Sequence, residues 1–158
     1  MAEHEYENDQ WGNSPGRFPP FDTVEIDPHK IGAVHTEWAP EEDHLPDPGE
    51  IVWTWVPYEE HDGRGKDRPV LLVARGKATG NFLAVKLTSK RHGDAENWVS
   101  IGTGGWDRDA RESWAVIDRV VRVHPEGIRR EGHALDRDDF DNVIGHLHKR
   151  FGWTGEGY

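Results

Sequence analysis

The loop His61-Asp62-Gly63-Arg64-Gly65-Lys66-Asp67 holds the residue types best suited to moving a proton beside a bound anion. An imidazole with an ordinary pKa of about 6.5 both accepts and gives a proton near neutrality, so His61 is the natural proton carrier. His61 is also one of ten histidines, and a solvated loop histidine is the plainer account of it. Arg64 and Lys66 in this loop, and Lys90 and Arg91 in a second charged loop, form two basic clusters. They could grip a polyanionic backbone, and ordinary solvated charge explains them equally well. The chain has no cysteine, which excludes disulfides, thiolate metal sites and a thiol nucleophile. His92, His124, His133, His146 and His148 show no ligand spacing with a convincing third donor, and His146 and His148 fall on different faces of a helix. No metal site and no cofactor are expected.

These loops are expected to join short strands. Glu50 to Val56 (EIVWTWV) is β-branched and aromatic, the composition of a buried strand. A polar loop from Pro57 to Asp67 leads to an apolar run from Pro69 to Arg75, and a turn leads to a third strand, Phe82 to Thr88. After the charged loop 89–96 come a short strand, Trp98 to Ile101, and turn chemistry from Gly102 to Arg111. A long strand, Ser113 to His124, follows; its alternation slips near Asp118 and Arg119, which predicts a bulge or sharp bend. Trp53 and Trp55 share one strand face, expected in the core or a dimer interface. Phe140, Val143, Ile144, Leu147 and Phe151 form one helical stripe, with Asp136 placed to cap its start and Gly152 to end it. The expected fold is mainly β (α+β): a small, partly open barrel with a C-terminal amphipathic helix.

A net charge of −11 would repel a polyanion, but its distribution matters. Residues 1–46 carry eleven Asp/Glu against Arg17 and Lys30, while residues 47–158 carry nineteen acidic and seventeen basic residues. The acidity belongs mostly to an N-terminal arm. Its prolines and aperiodic apolar residues point to a disordered or loosely docked segment. Within it, Phe18, Phe21, Val24, Ile26 and Ile31 give one stretch enough apolar surface to dock. Pro46, Pro48 and Gly49 mark the passage to a second unit, 47–158. The N-terminus lacks the basic and apolar regions of a secretory signal, and no apolar run approaches the about 20 residues of a membrane span. No membrane association and a cytoplasmic location are expected.

Four features in order carry a family resemblance: Gly49-Glu50-Ile51-Val52-Trp53, Arg68-Pro69-Val70-Leu71-Leu72-Val73, Leu87-Thr88-Ser89, and Glu112-Ser113 with Ile117-Asp118-Arg119. With the C-terminal helix they resemble the MazF/PemK toxins over about two-thirds of the chain, leaving the arm aside. The resemblance implies an SH3-like barrel, a homodimer, metal-independent cleavage of single-stranded RNA, and neutralisation by an antitoxin protein. It also implies functional roles for Arg68 and Thr88, with Ser89 as the alternative hydroxyl should the register differ by one. The first loop departs from the family's common Ser-Glu-Gln pattern, though His61 lies within about one residue of a histidine that some members carry. The late-strand acid of some members falls on Asp118, but their arginine two residues earlier is Val116 here.

RNA cleavage without a metal proceeds by attack of the 2′-OH on the adjacent phosphate, which needs a base, an acid and positive charge on the phosphoryl oxygens. Arg68, fixed by Pro69 at the start of a core strand, suits the third role; guanidinium stays protonated and does not serve as the base. Thr88 can donate a hydrogen bond to a phosphate oxygen, His61 carries the proton, and Asp118 is either a further acid or a structural residue at the bend. Trp106, in its Gly-rich loop, is the candidate for stacking on an unpaired base. Two rival functions remain open: a non-catalytic SH3-like binding module, and a toxin that acts by binding a protein target.

Overall fold

The computed structural model describes residues 14–31, 34–40, 46–76, 79–90 and 95–153. Among the described residues, eight strands run as β1 (Val24–Ile26), β2 (Glu50–Pro57), β3 (Gly65–Arg75), β4 (Phe82–Thr88), β5 (Trp98–Gly102), β6 (Ser113–Val116), β7 (Val120–Val123) and β8 (Ile128–Ala134), before the helix α1 (Arg137–Phe151). The main path across the sheet is β1-β7-β4-β3-β2-β8, and β6 joins β5 to the end of β4. All pairings are antiparallel.

Strand alternation sorts the apolar residues into two bodies. Leu71, Val73, Leu83, Val85 and Leu87 pack with Phe140, Val143 and Leu147 of α1. Val52, Val70, Leu72, Phe82, Ala84, Val121 and Val123 form a second cluster that also takes in Ile128. Val121 and Ile128 lie near opposite ends of the strand order, so sharing a cluster requires the sheet to curl around it. The result is an open, SH3-like barrel with an apolar interior and a helix against its outer face.

The helix is where its stripe placed it. The Asp136 side chain accepts from the Asp138 N–H, and Gly152 closes the last turn at φ 67°, a left-handed conformation that favours glycine. Two strand boundaries differ from expectation. β3 begins at Gly65, so Lys66 and Asp67 belong to a strand paired with Val56 and Trp55, and the preceding loop shortens to 58–64. Gly65 permits this close pairing, because a Cβ there would collide with the Val56 carbonyl and the Trp55 indole. The single long strand expected over Ser113 to His124 is two strands. The chain turns at Ile117–Arg119, where the alternation slips, so that β6 pairs with Leu87 and Thr88 while β7 pairs with Phe82 to Ala84. β8, rich in charge, carries no clean period and was not expected.

Much of the arm lies on the barrel. β1 adds to the free edge of β7 through Val24, Glu25 and Ile26. Upstream, a 3-10 turn at Pro15–Arg17 packs Gly16 over Thr54 and Gly127, and Thr54 donates to the Gly127 carbonyl at 3.0 Å. Downstream, Val34 is fully buried in the helix-side core, and Trp38 donates to the Leu135 carbonyl at 2.9 Å. The Trp153 indole donates to the Pro28 carbonyl at 3.0 Å. Composition hides this docking, since the contacts that order these segments lie far away in sequence.

Candidate active site

Lys86 stands out among the β4 residues that face the barrel interior. Phe82, Ala84, Lys86 and Thr88 share one side of the strand, and the first two are interior apolar residues. Val70 pairs with Lys86, so Arg68, two residues before Val70, falls level with Thr88 on the same side. Ala84 pairs with Val121, which brings Arg119 level with Lys86 across the other neighbour. Arg68, Lys86 and Arg119 therefore continue the apolar interior into one cationic mouth. Burial, then the charges of Arg68 and Arg119, push the Lys86 ammonium down to about 8, with Glu59 and Asp118 opposing.

Arg119 is nearly buried, at 6% exposure. It donates through Nη2 to the Pro57 carbonyl at 3.0 Å, and through Nε and Nη2 to Glu25 Oε1 at 2.8 and 2.5 Å. Glu25 comes from β1, in the arm. The same Oε1 lies 3.1 Å from His61 Nε2. Burial would raise the Glu25 carboxyl, but its bonds and charge contact with Arg119, then with His61, outweigh that and hold it below 4.5. His61 reaches this point from the 58–64 loop with a left-handed φ of 52°.

The other residues singled out by sequence separate into groups. The Thr88 hydroxyl donates to the Lys90 carbonyl at 3.1 Å and receives the Lys90 N–H at 3.2 Å, closing a turn at the end of β4. Ser89 lies half-buried in that turn, and Lys90 is exposed. Arg64 pairs with Asp62 at 2.9 Å and lies over the Tyr58 ring. Lys66 shares the interior side of β3 with Arg68, whereas Asp67 faces away and pairs with Arg129. Asp118 is exposed at the turn between β6 and β7. Arg91 lies outside the described residues. Trp55 is buried, and Trp53 is half-buried with its indole donating to the Trp106 carbonyl at 3.0 Å.

Trp106 requires a correction. It is only 6% exposed, its indole donates to Ser113 Oγ at 3.0 Å, and Gly104 packs against the ring. A ring so enclosed, though it borders a hollow, offers little surface for a base to stack on. Its Gly-rich surroundings signalled close packing around a large side chain rather than an open platform. A hollow beside it, lined by Ile101, Thr103, His133, Asp136 and Asp139 among others, contains none of the cationic residues described above.

Sequence reasoning missed Lys86 and Arg119. A lysine at an interior-parity position of an otherwise apolar strand was the available signal for Lys86. The same parity rule applied across the turn at Ile117–Arg119 would have found Arg119.

Residues 47–151 match the family model described as PemK-like, MazF-like toxin of type II toxin-antitoxin system. The chain belongs to this family. The solved structures agree at the level of fold. A MazF from Deinococcus radiodurans is 23% identical with a TM-score of 0.52, over 70% of this chain and 99% of its own. A MazE-MazF complex from the same organism gives 22% identity and a TM-score of 0.51, over 71% of this chain and all of the matched one. A mycobacterial endoribonuclease in complex with its cognate antitoxin gives 18% and 0.51, over 69% and 97%. No curated protein matches the chain. For this PemK/MazF-type chain the matched span begins at Asp47, so Glu25, which closes the cationic mouth, comes from outside the family region.

Proposed function

We propose that this chain is an endoribonuclease toxin that cleaves single-stranded RNA without a metal and is held in check by an antitoxin protein. The observation that supports it most is the convergence of Arg68, Lys86, Arg119 and His61 at one mouth of a barrel of the toxin family. In the proposed reaction the 2′-oxygen forms a bond to phosphorus as the P–O5′ bond breaks. The products are a 2′,3′-cyclic phosphate and a 5′-hydroxyl. His61 takes the proton from the 2′-OH, and an acid, or water, returns one to the leaving oxygen. Arg68 neutralises charge on the non-bridging oxygens, a role that a permanently protonated guanidinium fills well. Thr88 supports the phosphate indirectly while its hydroxyl holds the Lys90 turn. The antitoxin and a homodimer belong to the same reading; sedimentation of the purified chain tests the dimer.

The decisive assay is cleavage of a mixed-sequence single-stranded RNA with chelator present. Arg68→Ala is expected to lose about 2–4 kcal/mol of transition-state stabilisation, ~30- to ~1000-fold in kcat/KM, with its melting curve little changed. Thr88→Ala should lose less, because that hydroxyl already has a local partner. RNA binding with no cut product would instead support a non-catalytic binding module. Failure to bind RNA at all would leave a toxin acting on a protein target.

A further inference from the structure

We propose that Arg68, Lys86 and Arg119 form one seat for a phosphodiester, and that the Glu25 carboxylate of the arm occupies this seat until nucleic acid displaces it. That the displacing anion is RNA rests on the function proposed above; the occupied seat rests on the geometry alone.

Carboxylate and phosphate oxygens make the same demands on a guanidinium, so one can stand in for the other. A single oxygen, Glu25 Oε1, takes both Arg119 contacts and the His61 contact, as a non-bridging phosphate oxygen would. Arg119 is 6% exposed, and a guanidinium so buried needs a counter-anion, because leaving it unpaired is strongly unfavourable. Glu25 is therefore exchangeable for another anion but not simply removable. At Lys86 the charges of Arg68 and Arg119 outweigh those of Glu59 and Asp118, so this part of the mouth stays positive beside the Glu25–Arg119 pair. A phosphodiester reaching further across the seat would serve Lys86 and Arg68 as well as Arg119.

The element that delivers Glu25 is suited to release. β1 has three residues, lies at the edge of the sheet and, among the described residues, pairs with Val120 to Arg122 alone. Short edge strands open at low cost compared with the strands they border. The flanking segments have separate anchors, the Pro15–Arg17 turn over Thr54 and Val34 in the helix-side core, so β1 can leave while the chain on both sides stays bound. Val34 and Trp38 also rule out a simple deletion of residues 1–46 as the test, since that would strip the core.

The experiment measures binding, not cleavage. The full chain and its variants are titrated against a short fluorescent 2′-O-methyl oligonucleotide, which lacks the attacking hydroxyl. Glu25→Gln is expected to tighten binding roughly tenfold by removing the competing charge. Glu37→Gln, the same charge change at an exposed arm position away from the seat, should alter it less than about twofold. Lys86→Met should weaken binding roughly tenfold. Unchanged or weaker binding by Glu25→Gln, or an equal gain in both glutamate variants, overturns the proposal. If Glu25→Gln fails to fold, Glu25→Asp keeps the anion but shortens its reach; it should tighten binding at least about twofold, and no change overturns the proposal. Cleavage of the matching RNA is followed in parallel. Tighter binding without cleavage refutes the nuclease and leaves the occupied seat standing, whereas cleavage with no response to Glu25→Gln does the reverse.

Discussion

Alternate residues of β3 and β4 enter two different environments. Leu71, Val73, Leu83, Val85 and Leu87 are closed over by α1 and, through Val34, by the arm. Val70, Leu72, Phe82 and Ala84 line the barrel interior, and that side ends in Arg68 and Lys86. On the first side the packing is predominantly apolar, and burial is a gain of about 25 cal/mol per Å². On the second, the same strands carry positive charge into a partly buried mouth, where desolvation and mutual repulsion both work against folding. The helix side serves stability. The mouth holds charge at a cost that an anion offsets, which fits the proposed seat and the arm carboxylate found there.

The largest expected effect breaks the helix side alone. Leu147 is fully buried between α1 and the sheet, so Leu147→Ala should cost about 2–5 kcal/mol of stability by chemical denaturation. Oligonucleotide affinity, measured where the variant is still folded, should stay as in the parent chain. A large change in affinity would mean that the two sides are mechanically coupled and that they do not divide stability from binding.

The same division governs how much of the molecule is legible in its sequence. On the helix side, a five-residue stripe, an aspartate cap and a closing glycine are enough to define α1, and β2 and β4 read directly from their composition. These signals are local, and burial reinforces them. The mouth is assembled from residues that neighbour each other only once the strand register is fixed. Arg68 and His61 stand out in the sequence, by family likeness and by chemistry. Lys86 is concealed inside FLAVKLT, which reads as a core strand, and Arg119 inside a run that reads as one continuous strand. Glu25 is the hardest to see. It belongs to a three-residue strand too short to show a period, in a segment whose proline and acid content argues for loose chain. What orders it is a distant guanidinium and the open edge of β7, neither of which composition can report.

A smaller effect sharpens the comparison by separating stability from binding at one position. Lys86→Met keeps most of the side-chain volume and removes a desolvated charge beside two guanidiniums. Its folding stability should rise by about 0.5–2 kcal/mol, even as the oligonucleotide affinity falls. Charge placed for binding against the interest of folding behaves this way, and thermal melting beside the titration would show it. A variant that loses both would make Lys86 a structural residue.

The smallest effect requires no mutation. Lys86 is held at about 8 in the folded chain against an ordinary 10.5, so between these values the unfolded chain carries the proton and the folded chain has largely lost it. Stability rises with pH wherever the unfolded state binds more protons, so this residue's penalty is relieved from about 8 upward and is gone by 10.5. Over the same interval the mouth loses a positive charge, and a phosphodiester should bind roughly threefold more weakly. Because bound phosphate favours the charged ammonium, the fall in affinity begins near 8 and extends above it. Tyrosines and other lysines titrate at the upper end of this range, so the informative quantity is the difference from Lys86→Met, in which the early part of both trends should vanish. Affinity that stays level from neutral pH to about 9 in the parent chain would place Lys86 outside the seat and leave Arg68 and Arg119 to hold the anion.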